Sequence, residues 1–257
     1  MEDFRKYIVG GNWKCNGTLE KVQTIINRLN SPNNYYITDY NEVVICMPGI
    51  YIPIAKQILR KDISIASQDI GLYGNGAYTG ETSAAMLKDL DVSWSLVGHS
   101  ERRNCFHESN EICAKKAQNA LQAGMSIFFC IGELVKDKES GKTLQVCIEQ
   151  LTHLLKLVDE EQWEKIVIAY EPVWAIGTGK TATPEEAEKT HFQIREWIRE
   201  NVSRQVADQI RIIYGGSVNA KNCYELIACP NIDGFLVGGA SLLAEFVDII
   251  QSTTDIV

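Results

Sequence analysis

Short apolar stretches rich in β-branched residues recur along the chain, and longer amphipathic segments separate them. The stretches lack the polar alternation of a half-buried strand, which is typical of parallel strands covered on both faces. Eight stretches fit this description, at residues 6–11, 43–47, 63–67, 92–97, 126–131, 166–170, 210–214 and 232–237. We therefore predict that these stretches form buried parallel strands.

Helices are predicted between the strands. Apolar residues at helical spacing occur within 19–29 and 144–158, and they give each helix one face to lay against a sheet. A helix start follows the sixth strand, with Thr183 as N-cap, Pro184 at the first helical position and Glu186 closing a capping box. Strands and helices thus alternate to the end of the chain.

This alternation predicts an α/β fold, a closed (β/α)8 barrel formed by a single domain over residues 1–257. The length fits, since such barrels take about 250 residues, and no Pro/Ser-rich linker or low-complexity tract divides the chain. Alternation alone is also compatible with a doubly wound open sheet. The position of the loops distinguishes the two folds. In a closed barrel, the loops after all the strands meet at one end of the barrel, its mouth.

Composition and charge narrow the range of partners. Hydrophobic residues make up 45% of the chain and charged residues 23%, which is close to globular averages. No apolar run is long enough to span a bilayer, and the N-terminal residues form no apolar signal core. We therefore expect a soluble cytoplasmic protein without a membrane partner. A formal net charge of −8 disfavours nucleic acid as a partner.

The cysteines predict neither disulfides nor a metal site. Eight cysteines are scattered without a C-x-x-C pair, and a long chain without an export signal does not need disulfides. Cys105, His107 and Cys113 come nearest to metal-ligand spacing but lack a fourth ligand. We therefore expect free thiols and no bound metal.

Polar residues follow strands that are far apart in the sequence. Asn12 and Lys14 follow the first strand, His99 and Glu101 follow the fourth, and Glu171 follows the sixth. In a closed barrel these positions meet at one mouth, so their distribution favours the barrel over the open sheet. Glu171 is placed to act as a base, although a single glutamate in a loop is ordinarily a solvated carboxylate.

Glycine-rich turns follow the last three strands, at 177–179, 214–217 and 238–241. Glycine lets a phosphate approach main-chain N–H groups, and a short helix beginning near Gly239 would add its positive end. Each turn alone could be only a tight turn, but three at one mouth favour a phosphate site. The segment 179–181 also ends like a P-loop, yet that motif requires a glycine where Trp174 stands.

Two basic side chains complete the candidate site. Lys14 follows an apolar strand and Trp13, so we expect it to point inward, where its charge attracts phosphate and offsets negative charge formed in a reaction. His99 precedes Ser100, and the amide dipoles of a short helical turn there would disfavour the protonated imidazole. A neutral His99 could donate to a substrate oxygen, whereas the alternative is a histidine hydrogen-bonded within the barrel wall.

The chain resembles the triosephosphate isomerase family over essentially its whole length. The resemblance is carried by GNWKCNG at 11–17, GAYTGE at 76–81, GHSERR at 98–103, AYEPVWAIGTG at 169–179, YGGSV at 214–218 and GFLVGGASL at 234–242. It implies a TIM barrel surrounded by helices, and an isomerase that interconverts dihydroxyacetone phosphate and D-glyceraldehyde 3-phosphate through an enediolate. The family acts in glycolysis and gluconeogenesis without a cofactor or a metal.

The resemblance also implies a role for each catalytic residue. Glu171 would abstract the carbon proton and return it to the neighbouring carbon, while His99 would move protons between the two oxygens. Lys14 and Asn12 would stabilise the developing oxyanion, and Glu101 would be a supporting carboxylate near Lys14.

The resemblance further implies how the substrate is held. Six residues would bind it: Asn12, Lys14, Gly177, Ser217, Gly238 and Gly239. The segments 172–174 and 180–182 would be the hinges of a small loop that closes over the substrate, which keeps the enediolate from losing its phosphate.

The family is usually dimeric, and the long loop 69–82 is the expected contact arm. Thr79 would reach the active site of the neighbouring subunit, and Cys15 would lie beside the inserted arm. The chain departs from the family at Tyr78, where phenylalanine is common, and at Leu243-Ala244, where many members have lysine and proline. Neither departure alters a catalytic residue.

Two other functions fit these residues less well. Another barrel enzyme acting on sugar phosphates, such as an aldolase, would need a Schiff-base lysine in mid-strand or a metal cluster, and neither is apparent in the sequence. A non-catalytic phosphate-binding protein would have no use for His99 and Glu171 together.

Overall fold

The computed structural model of the chain describes residues 5–31, 35–176 and 181–256. Its strands are β1 Tyr7–Asn12, β2 Asn41–Cys46, β3 Ile63–Ser67, β4 Trp94–Val97, β5 Ser126–Ile131, β6 Ile166–Tyr170, β7 Arg211–Tyr214 and β8 Gly234–Val237. Each strand pairs in parallel with the next, and β8 pairs with β1 to close the barrel. The predicted (β/α)8 barrel is therefore confirmed, and the open sheet is excluded.

Helices surround the barrel and connect its strands. In the described residues they are α1 Leu19–Leu29, α2 Ile52–Ile58, α3 Ala84–Asp89, α4 Ser100–Cys105, α5 Asn110–Gln122, α6 Val135–Glu139, α7 Thr143–Leu155, α8 Pro184–Asn201, α9 Arg204–Gln209, α10 Cys223–Ile227 and α11 Phe246–Ser252. Short 3-10 turns lie at Gly49–Tyr51, Glu160–Lys165, Val173–Ala175 and Gly239–Leu242. None of the helices described is both long and apolar enough to span a bilayer.

The predicted helix start after the sixth strand is confirmed. Thr183 Oγ1 accepts from the Glu186 N–H at 3.2 Å, and Glu186 Oε2 accepts from the Thr183 N–H at 3.2 Å. The two bonds satisfy N–H groups that have no partner within the helix. This capping box fixes where the chain enters α8 after the loop that follows β6.

Some strands begin elsewhere than the sequence predicts. β2 begins at Asn41, earlier than the predicted start at 43, because Asn41 pairs with Tyr7 across the ladder. β4 begins at Trp94, later than the predicted start at 92, because Val92 is buried without joining the ladder. β8 likewise begins at Gly234 and not at 232. Apolar character thus extends beyond the paired residues at β4 and β8, whereas at β2 the pairing extends beyond the apolar run, so apolar character marks burial better than strand ends.

The core has two layers. The larger layer lies between the strands and the surrounding helices. The smaller layer fills the barrel interior with side chains from every strand: Ile8, Val44, Cys46, Ala66, Trp94, Leu96, Phe128, Cys130, Val167, Ala169, Ile213 and Leu236. The barrel is therefore a packed core and not a pore, and the loops at the carboxyl ends of the strands are left to form a site.

Candidate active site

The carboxyl ends of the strands bring the predicted polar residues to one mouth of the barrel. A cavity of about 410 Å³ lies there, and its lining includes Asn12, Lys14, His99, Glu171, Ser217, Gly238 and Gly239. Glu101 lines a neighbouring cavity of about 330 Å³ that shares Asn12, Lys14 and His99. Gly177 lies outside the described residues, as does the rest of 177–180. All the other predicted site residues come together.

Glu171 is held in place through its backbone and its side chain. Its N–H donates to Ile131 O at 2.7 Å. Gly132 packs so closely that a Cβ there would lie 1.7 Å from the Glu171 carbonyl oxygen. The side chain is only 2% exposed, with Oε1 2.9 Å from His99 Nε2 and Oε2 accepting from the Ser100 N–H at 2.9 Å. The carboxylate is therefore buried but fully hydrogen-bonded.

These surroundings keep Glu171 ionised. Burial raises the pKa of its carboxyl, but attraction to His99 and the hydrogen bonds from His99 and the Ser100 N–H lower it by more, so the pKa lies below its ordinary value. An ionised carboxylate at neutral pH is the form that a general base needs.

His99 presents its Nε2 to the cavity and to Glu171. Its Nδ1 accepts from the Glu101 N–H at 3.2 Å in the first turn of α4, which favours the tautomer with the proton on Nε2. Burial lowers the pKa of His99, while attraction to Glu171, the hydrogen bond with Glu171 and the charge of Glu101 together raise it by more. The pKa therefore lies above its ordinary value while His99 and Glu171 are paired, which is opposite to the lowering expected from the amide dipoles of α4. Movement of Glu171 onto a ligand would remove the main influence that favours a charged imidazole.

Lys14 is fixed at the mouth by polar contacts. Its Nζ lies 2.6 Å from Glu101 Oε1, and its backbone N–H donates to Asn12 Oδ1 at 3.0 Å. Gln68 Nε2 donates to Lys14 O at 2.9 Å and to Asn12 Oδ1 at 3.2 Å. These bonds hold Lys14 at φ +53°, a left-handed conformation that residues other than glycine seldom adopt. The strained backbone and its supports set the position of the ammonium group.

Gln68 and Glu133 support the site although neither is among the site residues predicted from the sequence. Glu133 is 1% exposed, and its Oε1 accepts from Trp174 Nε1 at 2.8 Å and from the Tyr170 hydroxyl at 3.2 Å. Burial raises the pKa of Glu133 by more than these hydrogen bonds lower it. Gln68 comes directly after β3, and Glu133 comes two residues after β5, behind Gly132. A polar residue close after a buried strand is the signal that could have found both.

The turn after β7 is hydrogen-bonded to the chain on both sides of Glu171, and the turn after β8 lines the same cavity. The Gly215 N–H donates to Tyr170 O at 2.7 Å, and the Ser217 hydroxyl donates to Ala175 O at 2.7 Å. A 3-10 turn begins at Gly239, where the sequence predicts a short helix. The main chain of two glycine-rich turns therefore borders the cavity next to Lys14 and Glu171.

The predicted contact arm, loop 69–82, is anchored at its start. Lys116 Nζ lies 2.7 Å from Asp69 Oδ2 and 2.6 Å from Glu108 Oε1. Arg102 Nη2 lies 2.5 Å from the same Glu108 oxygen and 3.1 Å from Asp69 Oδ2. This partly buried charge network ties the arm to α4 and α5, while Thr79 at its tip is exposed.

All the cysteines lie within the described residues and are free thiols, as predicted. Cys15 and Cys105 are exposed, whereas Cys113 is buried. Over residues 5–31, 35–176 and 181–256, no group of three or more His, Cys, Asp or Glu side chains is arranged to hold a metal ion.

The fold and these contacts define a class of protein. A (β/α)8 barrel that gathers a carboxylate, an imidazole and an ammonium around a small cavity at the carboxyl ends of its strands is built for acid–base chemistry on a small anionic substrate. The family model described as Triosephosphate isomerase matches residues 7–253. The chain belongs to the triosephosphate isomerase family.

Individual relatives support the same assignment. The chain is 48% identical to "Triosephosphate isomerase, cytosolic" of Oryza sativa subsp. japonica, over 97% of this chain and 98% of the relative. It is 47% identical to "Triosephosphate isomerase" of Taenia solium and 46% identical to that of Emericella nidulans, in each case over 96% of this chain and 98% of the relative. The similarity therefore spans the barrel and all its loops.

Proposed function

We propose that the chain interconverts dihydroxyacetone phosphate and D-glyceraldehyde 3-phosphate by proton transfer through an enediolate, as a step of glycolysis and gluconeogenesis. The observation that carries the proposal is that Glu171, His99 and Lys14 line one cavity. Membership of the family supports the same reaction. The chain is accordingly an isomerase, which acts as one domain over residues 1–257 and needs neither cofactor nor metal.

Glu171 is the base in this proposal. It removes the proton from the carbon beside the substrate carbonyl and returns that proton to the neighbouring carbon. Its lowered pKa supports the role, because the carboxylate is ionised at neutral pH. Its contact with His99 Nε2 at 2.9 Å has to give way when substrate binds, since the proton on Nε2 is then needed by a substrate oxygen.

His99 and Lys14 handle the charge that develops on the substrate oxygens. With its proton on Nε2, His99 donates to an oxygen of the enediolate and moves protons between the two oxygens. The Lys14 ammonium and the Asn12 amide stabilise the negative charge as it forms, and Glu101 holds the ammonium in place at 2.6 Å.

The substrate phosphate is bound by Lys14 and by main-chain N–H groups of the glycine-rich turns. We assign this role to Ser217, Gly238 and Gly239, which line the cavity, and to Gly177, which follows Glu171 in sequence. Helix-start and turn amides are suited to an anion. The segment between the hinges 172–174 and 180–182 closes over the bound substrate and excludes water.

We also propose that the chain acts as a homodimer in the cytoplasm. The arm 69–82 of one copy contacts the Cys15 region of the other, and Thr79 completes the neighbouring site. Phe106 supports this surface, because it is 63% exposed and lines the same cavity as the exposed Cys15. Relatives named as cytosolic support the location.

The proposal is tested by hydrogen exchange between solvent and substrate. Dihydroxyacetone phosphate is incubated in tritiated water with the wild-type chain and with Glu171→Gln. We expect the variant to lose exchange by about 10²- to 10⁴-fold, while calorimetry still detects its binding of phosphoglycolate.

Glu161→Gln is the matched control, since Glu161 is exposed and precedes β6, at the amino end of the strand that Glu171 follows. It should exchange like the wild type. If Glu171→Gln exchanged hydrogen as fast as the wild type, the assignment of the base would be overturned. If the wild type bound phosphoglycolate but exchanged no hydrogen, the chain would be a binding protein and not an isomerase.

A further inference from the structure

Two exposed tyrosines stack on each other in the contact arm. The Tyr73 and Tyr78 ring centroids lie 4.5 Å apart, with an angle of 17° between the planes. Both side chains are well exposed, Tyr73 at 53% and Tyr78 at 43%. An offset aromatic pair contributes stability beyond the area that it buries, so the stack fixes the shape of a segment that has no helix or strand of its own.

Hydrogen bonds at both ends of the arm add to the tyrosine stack. The Gly71 N–H donates to Thr82 O at 2.8 Å, which closes the base of the loop. The Glu81 N–H donates to Tyr78 O at 3.0 Å, and Asn119 Nδ2 donates to Leu72 O at 2.5 Å. All these contacts lie within one chain. Within the tip, Asn75 Oδ1 accepts from the Ser83 hydroxyl, and the tyrosine stack joins the two sides of the remaining chain.

We propose that the Tyr73–Tyr78 stack holds the arm, within a single subunit, in the shape that the second subunit binds. This inference rests on the proposed homodimer. Thr79, the residue assigned to the neighbouring site, directly follows Tyr78 in sequence. An arm that is ordered before the subunits meet loses little conformational freedom on binding, and this raises affinity without a new contact.

Two glycines in the arm allow the idea to be tested without removing an aromatic ring. A Cβ added to Gly76 would lie 2.9 Å from Tyr78 Cε2, so an alanine there pushes the ring off the stack. A Cβ added to Gly74 would meet nothing within 4 Å. Neither glycine has a positive φ, so each tolerates alanine as far as the backbone is concerned.

The experiment measures dimer dissociation by sedimentation of fluorescently labelled chain over a dilution series. A symmetric dimer contains two arms, so Tyr73→Ala should raise the dissociation constant by roughly 5- to 150-fold. Tyr73→Phe keeps the stacked ring and should stay within about twofold of the wild type. Gly76→Ala should weaken the dimer as Tyr73→Ala does, and Gly74→Ala should not.

A second measurement separates an ordered arm from a direct contact between subunits. In the dissociated subunit, Tyr73→Ala and Gly76→Ala should speed amide hydrogen exchange over 72–81, whereas Tyr73→Phe and Gly74→Ala should not. If the wild type is a dimer and neither Tyr73→Ala nor Gly76→Ala changes the dissociation constant, the inference is overturned and the homodimer stands. Unchanged exchange in both variants would also overturn it. A wild-type chain that is monomeric at all concentrations would overturn the homodimer itself.

Discussion

Glu171 and His99 are positioned by the same short stretch of chain. The Ser100 N–H at the start of α4 donates to one Glu171 oxygen, and His99, the residue before it, meets the other at 2.9 Å. The Glu101 N–H then fixes the tautomer of His99. The first turn of α4 therefore sets both the protonation state of the base and the direction of the proton on the imidazole.

Replacing Lys14 tests the role of its charge. Lys14→Met keeps most of the side-chain volume but removes the ammonium that faces Glu101 at 2.6 Å. We expect kcat/KM for the isomerisation to fall by about 10²- to 10³-fold, because one preorganised charge on the developing oxyanion is lost. Lys56→Met, which removes an exposed pair with Asp91, is the control and should leave kcat/KM unchanged. A Lys14→Met value within threefold of the wild type would refute the assigned role.

His191 makes the stability of the chain depend on pH. It is fully buried on α8, its Nδ1 donates to Ala187 O at 2.8 Å, and burial lowers its pKa. Below pH ~6.5 the unfolded chain therefore binds a proton that the folded chain excludes, and the free energy of unfolding falls as the pH falls. His191→Asn keeps an amide donor at the Nδ1 position but cannot titrate.

The measurement is denaturant unfolding at pH 7.5 and 5.5. The wild type should lose up to about 1.4 kcal/mol more than His191→Asn over this range, since a single proton is involved. Other groups, including His99 with its raised pKa, contribute equally to both proteins. An equal loss in the two would show that His191 does not titrate differently in the folded and unfolded chains.

The strands and the main helix starts could be predicted because each has a local signal. β6 is a continuous apolar run, and the residues Thr183, Pro184 and Glu186 predict the start of α8 with its capping box. The supports of the site have only a weaker local signal. Gln68 and Glu133 are single polar residues after β3 and β5, and their role depends on which strands become neighbours in the barrel.

Deleting residues 176–179 tests the loop after Glu171. In the proposed function the loop excludes water and keeps the enediolate planar, so we expect a shortened chain to release inorganic phosphate by elimination from the intermediate. The readout is the ratio of phosphate released to glyceraldehyde 3-phosphate formed, with the intact chain as reference. Purely isomerised product from the shortened chain would contradict the idea. Because 177–180 lie outside the described residues, the binding role of Gly177 remains a prediction.

The assembled barrel could be predicted more completely than the surface between subunits. Alternating strands and helices, with polar residues after β1, β4 and β6, define one mouth, and the structure gathers Asn12, His99 and Glu171 there. The stack of Tyr73 on Tyr78 could not be predicted, because no periodicity relates two residues within an irregular loop. The positive φ of Lys14 could not be predicted either, because it depends on hydrogen-bond partners from distant segments.

A thiol-directed reagent tests the proposed dimer. Cys15 and Cys105 are exposed, whereas burial raises the pKa of the thiols of Cys46 and Cys147 and protects them. A bulky adduct on Cys15 should separate the subunits, because in the proposed dimer it would occupy the space of the arm from the other subunit. Gel filtration of the modified Cys105→Ser chain should therefore give a monomer. Modified Cys15→Ser, labelled at Cys105, should remain a dimer, and a dimer in both cases would refute the placement of Cys15.

In the proposed function, the Glu171 carboxylate, the His99 imidazole and the Lys14 ammonium surround one small phosphate ester. The most direct test is a crystal structure with phosphoglycolate, whose planar carboxylate resembles the enediolate. We predict a Glu171 oxygen within about 3.2 Å of that carboxylate, His99 Nε2 and Lys14 Nζ on its oxygens, and the phosphate on the turns at Ser217 and Gly238. A ligand bound at another place on the barrel, or bound here without contact to Glu171, would contradict the account.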